Sequence, residues 1–229
     1  MTQETMATRQ ALRTPRAAAV AGILFSVLLL TSLVLIRLAI PAGRGNADVL
    51  VSDPALRNSV LVALNLIPFA GIAFLWFIGV VRDRMGEHED RFFATVFLGS
   101  GLLFVAMLFV AAGIAVTSLA EGTNPQPTFE TWRFSRDITY TLITTYAMRM
   151  AAVFILSTAT ISLRITMMPR WIGLLGYVCA LVLLLSVGYL AWVEMLFPLW
   201  VLLVSVYILA STLRIPHEVP SRRSAGGTA

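Results

Sequence analysis

Six apolar segments, each about as long as a bilayer core is thick, leave this chain few folds to choose from. A helical span takes roughly 20 apolar residues, because in lipid every backbone amide and carbonyl must find its partner inside the helix. The segments cover residues 17–40, 57–81, 92–117, 138–162, 171–193 and 196–214. The last two are separated only by a turn near Glu194. Fused, they would form a helix of ~66 Å against a core of ~30 Å, so a hairpin is expected. The expected fold is all-α: a polytopic bundle of six transmembrane helices.

Composition argues the same way. Of 229 residues, 58% are hydrophobic and 13% charged, where a soluble domain is about half apolar and a quarter charged. A soluble enzyme, a nucleic-acid-binding domain and a disordered chain are excluded. The formal net charge of +5 resembles a nucleic-acid signal until the arginines are placed. Most then fall beside span ends, so the bilayer is the expected partner and nucleic acid is not.

Arginine bias in the short connections sets the orientation. Eleven arginines lie in the N-terminal tail, the second and fourth connections and the C-terminal tail, against four in the first and third connections. Both termini are therefore expected in the cytoplasm of a bacterial plasma membrane. The first apolar run, about 20 residues long, exceeds the 7–15 of a signal peptide, so an uncleaved first span is expected. The tails at 1–16 and 215–229 are polar and rich in small residues and are expected to be disordered.

Several local features suit this layout. Ser52-Asp53-Pro54 reads as a helix start, with oxygen-bearing caps and proline in the first turn. Pro68 removes a backbone donor and frees a carbonyl near Asn65. Trp132, Trp171 and Trp192 fall near span boundaries, and Gly99, Gly101 and Gly113 suit close helix contact. In the longest outer connection, TFETWRF is expected to form a short interfacial helix.

One charge falls deep inside a span. Arg149 lies twelve residues from Asp137, which at 1.5 Å per residue places it ~18 Å into the membrane. A central arginine costs at least ~2.5–3.5 kcal/mol and faces protein or water. Asp137, Thr141, Thr145 and Arg149 are spaced by four, and Ser157 and Thr160 continue roughly along that face. Tyr140, Thr144 and Tyr146 lie on adjacent faces. No aspartate or glutamate occurs at the depth of Arg149. Its partners are to be sought among the Asn65 amide, carbonyls freed by Pro68, hydroxyls, water, or an anionic lipid head group or small anion. The candidate binding set is Arg149, Thr145, Thr141, Tyr146 and Asn65. A structural arginine held by carbonyls and hydroxyls is the competing reading, and a proton or ion path is a third. Arg37 is expected at the outer head groups, with Glu194 marking the last turn or pairing with Arg37.

Most catalytic chemistry lacks its residues. All basic residues are arginine, so no lysine is present to form a Schiff base. Cys179 is the lone cysteine, and His88 and His217 both fall outside the spans. No axial haem pair, no spaced metal-ligand cluster and no base beside the serine of Gly99-Ser100-Gly101 is encoded, so neither a cofactor nor a metal is expected. Two functions lead: binding or transport of a small anion or anionic lipid around Arg149, and a non-catalytic accessory or scaffold subunit with a membrane protein partner or as a homo-oligomer. A membrane enzyme ranks behind both.

The segment 64–104, with its FLWFIGVVRDR boundary, acidic turn and FFATVFLGSG, resembles a group of actinobacterial multi-pass membrane proteins with no assigned function. The resemblance implies a plasma membrane location and six spans, and it brings no activity, cofactor or site residue.

Overall fold

The computed structural model describes residues 2–39, 54–85, 91–119, 129–164, 169–186 and 192–213. Six helices carry nearly all of them. α1 is Thr2–Ala39, α2 is Pro54–Met85 and α3 is Arg91–Leu119. α4 runs Phe129–Thr141, passes through a π-helical segment Leu142–Ala147 and continues as Met148–Arg164. α5 is Arg170–Leu185, and a 3-10 turn Val193–Met195 leads into α6, Leu196–Leu213.

Five of these elements are long and apolar enough to cross a membrane: Arg16–Leu38, Pro54–Arg82, Phe92–Leu119, Glu130–Arg164 and Val193–Leu213. The chain is therefore an all-α protein built from helices suited to an integral membrane protein. α5 differs from expectation. It stops at Leu185 after 16 residues, about 24 Å of helix against a core of ~30 Å. Ser186 then turns to an extended backbone with φ −76° and ψ 96°. Its start is set by Pro169, also extended, whose carbonyl accepts from the Ile172 amide at 3.0 Å. α2 begins at Pro54 as expected, since the missing proline donor costs nothing in a first turn. The TFETWRF segment is not a separate helix. Its residues from Phe129 onward are the first turns of α4, since no breaker separates them from the span. α1 begins at Thr2, inside the segment expected as a tail, and the C-terminal tail lies outside the described residues.

Neighbouring helices run antiparallel. Arg164 at the end of α4 lies over the Phe93 ring at the start of α3, 4.6 Å from its centroid. Leu163 of α4 packs on Gly173 at the start of α5. At the other end, the Arg57 guanidinium of α2 donates from Nε to the carbonyl of Leu119, the last residue of α3, at 2.9 Å. Arg37 of α1 meets Glu194 ahead of α6. α1 packs on α2 and α6, α3 on α2 and α4, and α4 on α5, while α5 touches α6 more lightly.

Phenylalanines from five helices fill the middle. Phe25, Phe74, Phe104, Phe154 and Phe197 are fully buried, with Phe25–Phe74 centroids 4.5 Å apart, Phe104–Phe197 4.7 Å and Phe74–Phe154 5.1 Å. Lipid chains are as apolar as these rings, so close packing rather than water exclusion favours the contact. Small residues admit the rings and their neighbours. A side chain at Gly22 would strike Ser205 and Phe77, and one at Gly101 would strike Ile78. Of the three glycines expected to serve α3 in this way, only Gly101 does. Gly99 and Gly113 face open space.

Candidate functional site

Arg149 lies just past the π segment of α4 and is partly buried. The segment widens the helix by one residue, so the Met148 amide donates to the Ile143 carbonyl five residues back. Arg149 follows immediately, and its Nη1 donates to the Thr145 carbonyl at 3.2 Å. That is its only hydrogen bond among the described residues. A guanidinium carries five N–H donors, so most of its bonding capacity is not taken up by the described residues.

The other residues expected around Arg149 are placed unevenly. Thr145 is partly buried and supplies the carbonyl. Tyr146 is 55% exposed, three residues along the helix from Arg149. Thr141 is exposed at the start of the π segment. Asn65 is exposed on α2, and its amide donates to the Leu61 carbonyl of its own helix at 2.9 Å. Arg149 and Thr145 are thus joined directly and Tyr146 is adjacent, while Asn65 is engaged elsewhere. The stripe read at a spacing of four assumed an α-helix throughout, and the π segment interrupts it. Beyond it, Ser157 donates to the Val153 carbonyl at 2.6 Å, and Thr160 bonds the Leu156 carbonyl and the Tyr177 hydroxyl of α5. Asp137 lies eight residues inside α4, so it does not mark the membrane boundary, and depth is better counted from Arg164.

A second polar group sits at the far end of α1. Arg37 Nη2 donates to both carboxylate oxygens of Glu194, at 2.6 and 2.7 Å, and the side chains are only 16% and 9% exposed. The pairing considered from sequence is therefore present. Tyr140 of α4 also lies within hydrogen-bonding reach of Arg37. That contact left no sequence signal, because the two residues lie on separate helices far apart in sequence. Trp192, just ahead of the 3-10 turn, holds a left-handed backbone with φ 78°, a conformation that bulky residues rarely adopt. It caps the 3-10 turn that carries Glu194.

Among the described residues, four buried side-chain atoms have no partner: Thr139 Oγ1, Ser186 Oγ, Trp200 Nε1 and Ser205 Oγ. Ser205 faces Gly22, and Trp200 packs over Gly176, so each sits at a close helix contact. Among the described residues no group of three His, Cys, Asp or Glu side chains could hold a metal ion. His88 and His217 lie outside the described residues. The chain matches no family, no curated protein and no solved structure.

Proposed function

We propose that this integral membrane protein binds an anionic group, from a small anion or an anionic lipid, at Arg149. The observation that carries this reading is the guanidinium itself. It is partly buried in a helix long and apolar enough to cross a membrane, and among the described residues it is bonded only to the Thr145 carbonyl. A charge at that depth is costly unless its donors are filled. An oxyanion fills them with charge-assisted bonds, about twice as strong as neutral ones. Thr145 and Tyr146 stand beside it with hydroxyls able to donate to the same group. The buried phenylalanines at the bundle centre leave α4 itself, rather than a central pore, as the seat of binding.

The proposal includes the layout in which the site works: six spans, with α5 the shortest, and both termini in the cytoplasm of a bacterial plasma membrane. The antiparallel contacts support it, since they place Arg16 and Leu213 at the end opposite Arg37 and Glu194. Reporter fusions at either terminus should be active only when the reporter is one that works in the cytoplasm.

The binding reading is tested by the thermal midpoint of the purified full chain. Inorganic phosphate or phosphatidylglycerol should raise it for the wild type, and Arg149→Gln should abolish the rise. Equal behaviour of the two proteins with every anionic additive would leave Arg149 a structural residue. The accessory or scaffold role would then lead.

A further inference from the structure

Resting on that reading, we infer that the anionic group at Arg149 is the phosphate of a phospholipid in the leaflet on the Arg37 side, taken from the lipid-facing surface of α4. Depth is the first reason. Arg164 marks one boundary, where its guanidinium covers the Phe93 ring at the start of α3. Arg149 lies fifteen residues from Arg164 along the helix, about 22 Å in a core of ~30 Å, so roughly 8 Å separates its backbone from the far edge. α1 gives the same scale, since Arg16 and Arg37 are twenty-one residues apart, or ~32 Å. The Arg149 backbone therefore lies in the half of the core on the Arg37 side, about midway between the midplane and that edge.

Direction is the second reason. Helical side chains lean toward the N-terminus of their helix, and the N-terminus of α4 is on the Arg37 side. The bond from Arg149 Nη1 to the Thr145 carbonyl shows this lean. The guanidinium is carried about a further turn, or ~5 Å, toward the far edge. The remaining few ångströms are within the range that snorkelling and local thinning of the bilayer cover.

Access is the third. From within the bundle, Phe25, Phe74, Phe104, Phe154 and Phe197 pack ring on ring with no exposed surface. On the outside, Tyr146 is exposed beside Arg149, an aromatic body for acyl chains with a hydroxyl for a head group. A free anion would have to shed its hydration and cross apolar surface to arrive there. A lipid phosphate is already at that level, carried by its own chains.

Native mass spectrometry of the full chain in micelles separates the two sources, with phosphatidylglycerol and inorganic phosphate as probes. The wild type should retain phosphatidylglycerol in the presence of excess phosphate. Arg149→Gln should lower retention about tenfold, and Arg170→Gln, an exposed arginine at the opposite end, should leave it unchanged. Retention equal in all three proteins would show only annular lipid and overturn the inference. Phosphate held alone, lost in Arg149→Gln and displacing lipid, would also overturn it while leaving anion binding at Arg149 intact. Neither probe held would sink both. If Arg149→Gln does not fold, the wild type alone decides. Phosphatidylglycerol with a photoreactive group next to the phosphate should label the peptide containing Thr145 to Arg149, and labelling confined to other peptides would overturn the inference.

Discussion

Arg37 and Glu194 are 157 residues apart in sequence, yet Arg37 Nη2 lies 2.6 and 2.7 Å from the two carboxylate oxygens of Glu194. The contact ties the end of the first helix to the start of the last, along the seam where α1 packs on α6. With side chains 16% and 9% exposed, the pair is close to the buried case, in which removing one partner costs about 3–5 kcal/mol by stranding the other charge. Glu194→Leu is therefore expected to destabilise the protein by about 3 kcal/mol. The double variant Arg37→Met/Glu194→Leu should recover most of that loss. Thermal or denaturant unfolding of the two single variants and the double variant measures the coupling. Additive losses would mean that the charges do not depend on each other.

Two glycines make opposite predictions from the same substitution. At Gly22 a Cβ would collide with Ser205 and Phe77, at the seam where α1 meets α6. At Gly113 nothing lies within 4 Å of a Cβ. Gly22→Val should cost about 1–3 kcal/mol as an overpacked contact. Gly113→Val should leave the midpoint unchanged or raise it slightly, because glycine weakens a helix interior. Unfolding midpoints in one detergent decide the comparison, and a matching loss at both positions would contradict this packing.

How much of this was legible beforehand depended on what apolar patterning encodes. Length and hydropathy located the apolar helices, five of them long enough to cross a membrane, and Pro54 marked the start of α2 because proline disrupts neighbours in a fixed direction. The Arg37–Glu194 pair was legible as an option because both residues stood at the same expected end. Which way Asn65 faces was not. α2 is apolar on nearly every side, so no stripe marks its inner face, and only its packing partners turn Asn65 outward. The π segment was equally hidden, since nothing in LITTYA distinguishes a five-residue turn from a four-residue one. With it went the single polar face drawn through Thr141, Thr145 and Arg149. Gly99 and Gly113 show the same limit: a small residue permits close contact without specifying a partner.

Arg57 holds the end of α3 from outside it. Its Nε and Nη2 both donate to the Leu119 carbonyl, one of the acceptors a helix end leaves without an intrahelical donor. A cation there also meets the negative end of the helix dipole. Arg57→Met should therefore loosen the last turn of α3, at a cost of about 1 kcal/mol. Hydrogen exchange is expected to speed up around Val116–Leu119 while the amides near Phe104 keep their protection. Uniform acceleration along α3 would instead point to a global loss of stability.

The residues flanking Arg149 give the last test, because geometry ranks two that sequence placed together. Tyr146 is exposed three residues from Arg149, and its hydroxyl can donate to a phosphate held by the guanidinium. Asn65 spends its amide on the Leu61 carbonyl. Loss of one hydrogen bond of ordinary strength is worth about 1 kcal/mol, or roughly fivefold in retention. Tyr146→Phe, which keeps the ring and removes only the hydroxyl, should weaken phosphatidylglycerol retention by about that factor. Asn65→Ala should not change it. Titrations of both variants followed by native mass spectrometry measure the difference. A loss at Asn65 with none at Tyr146 would move the anion to the α2 side of Arg149 and away from the exposed face of α4.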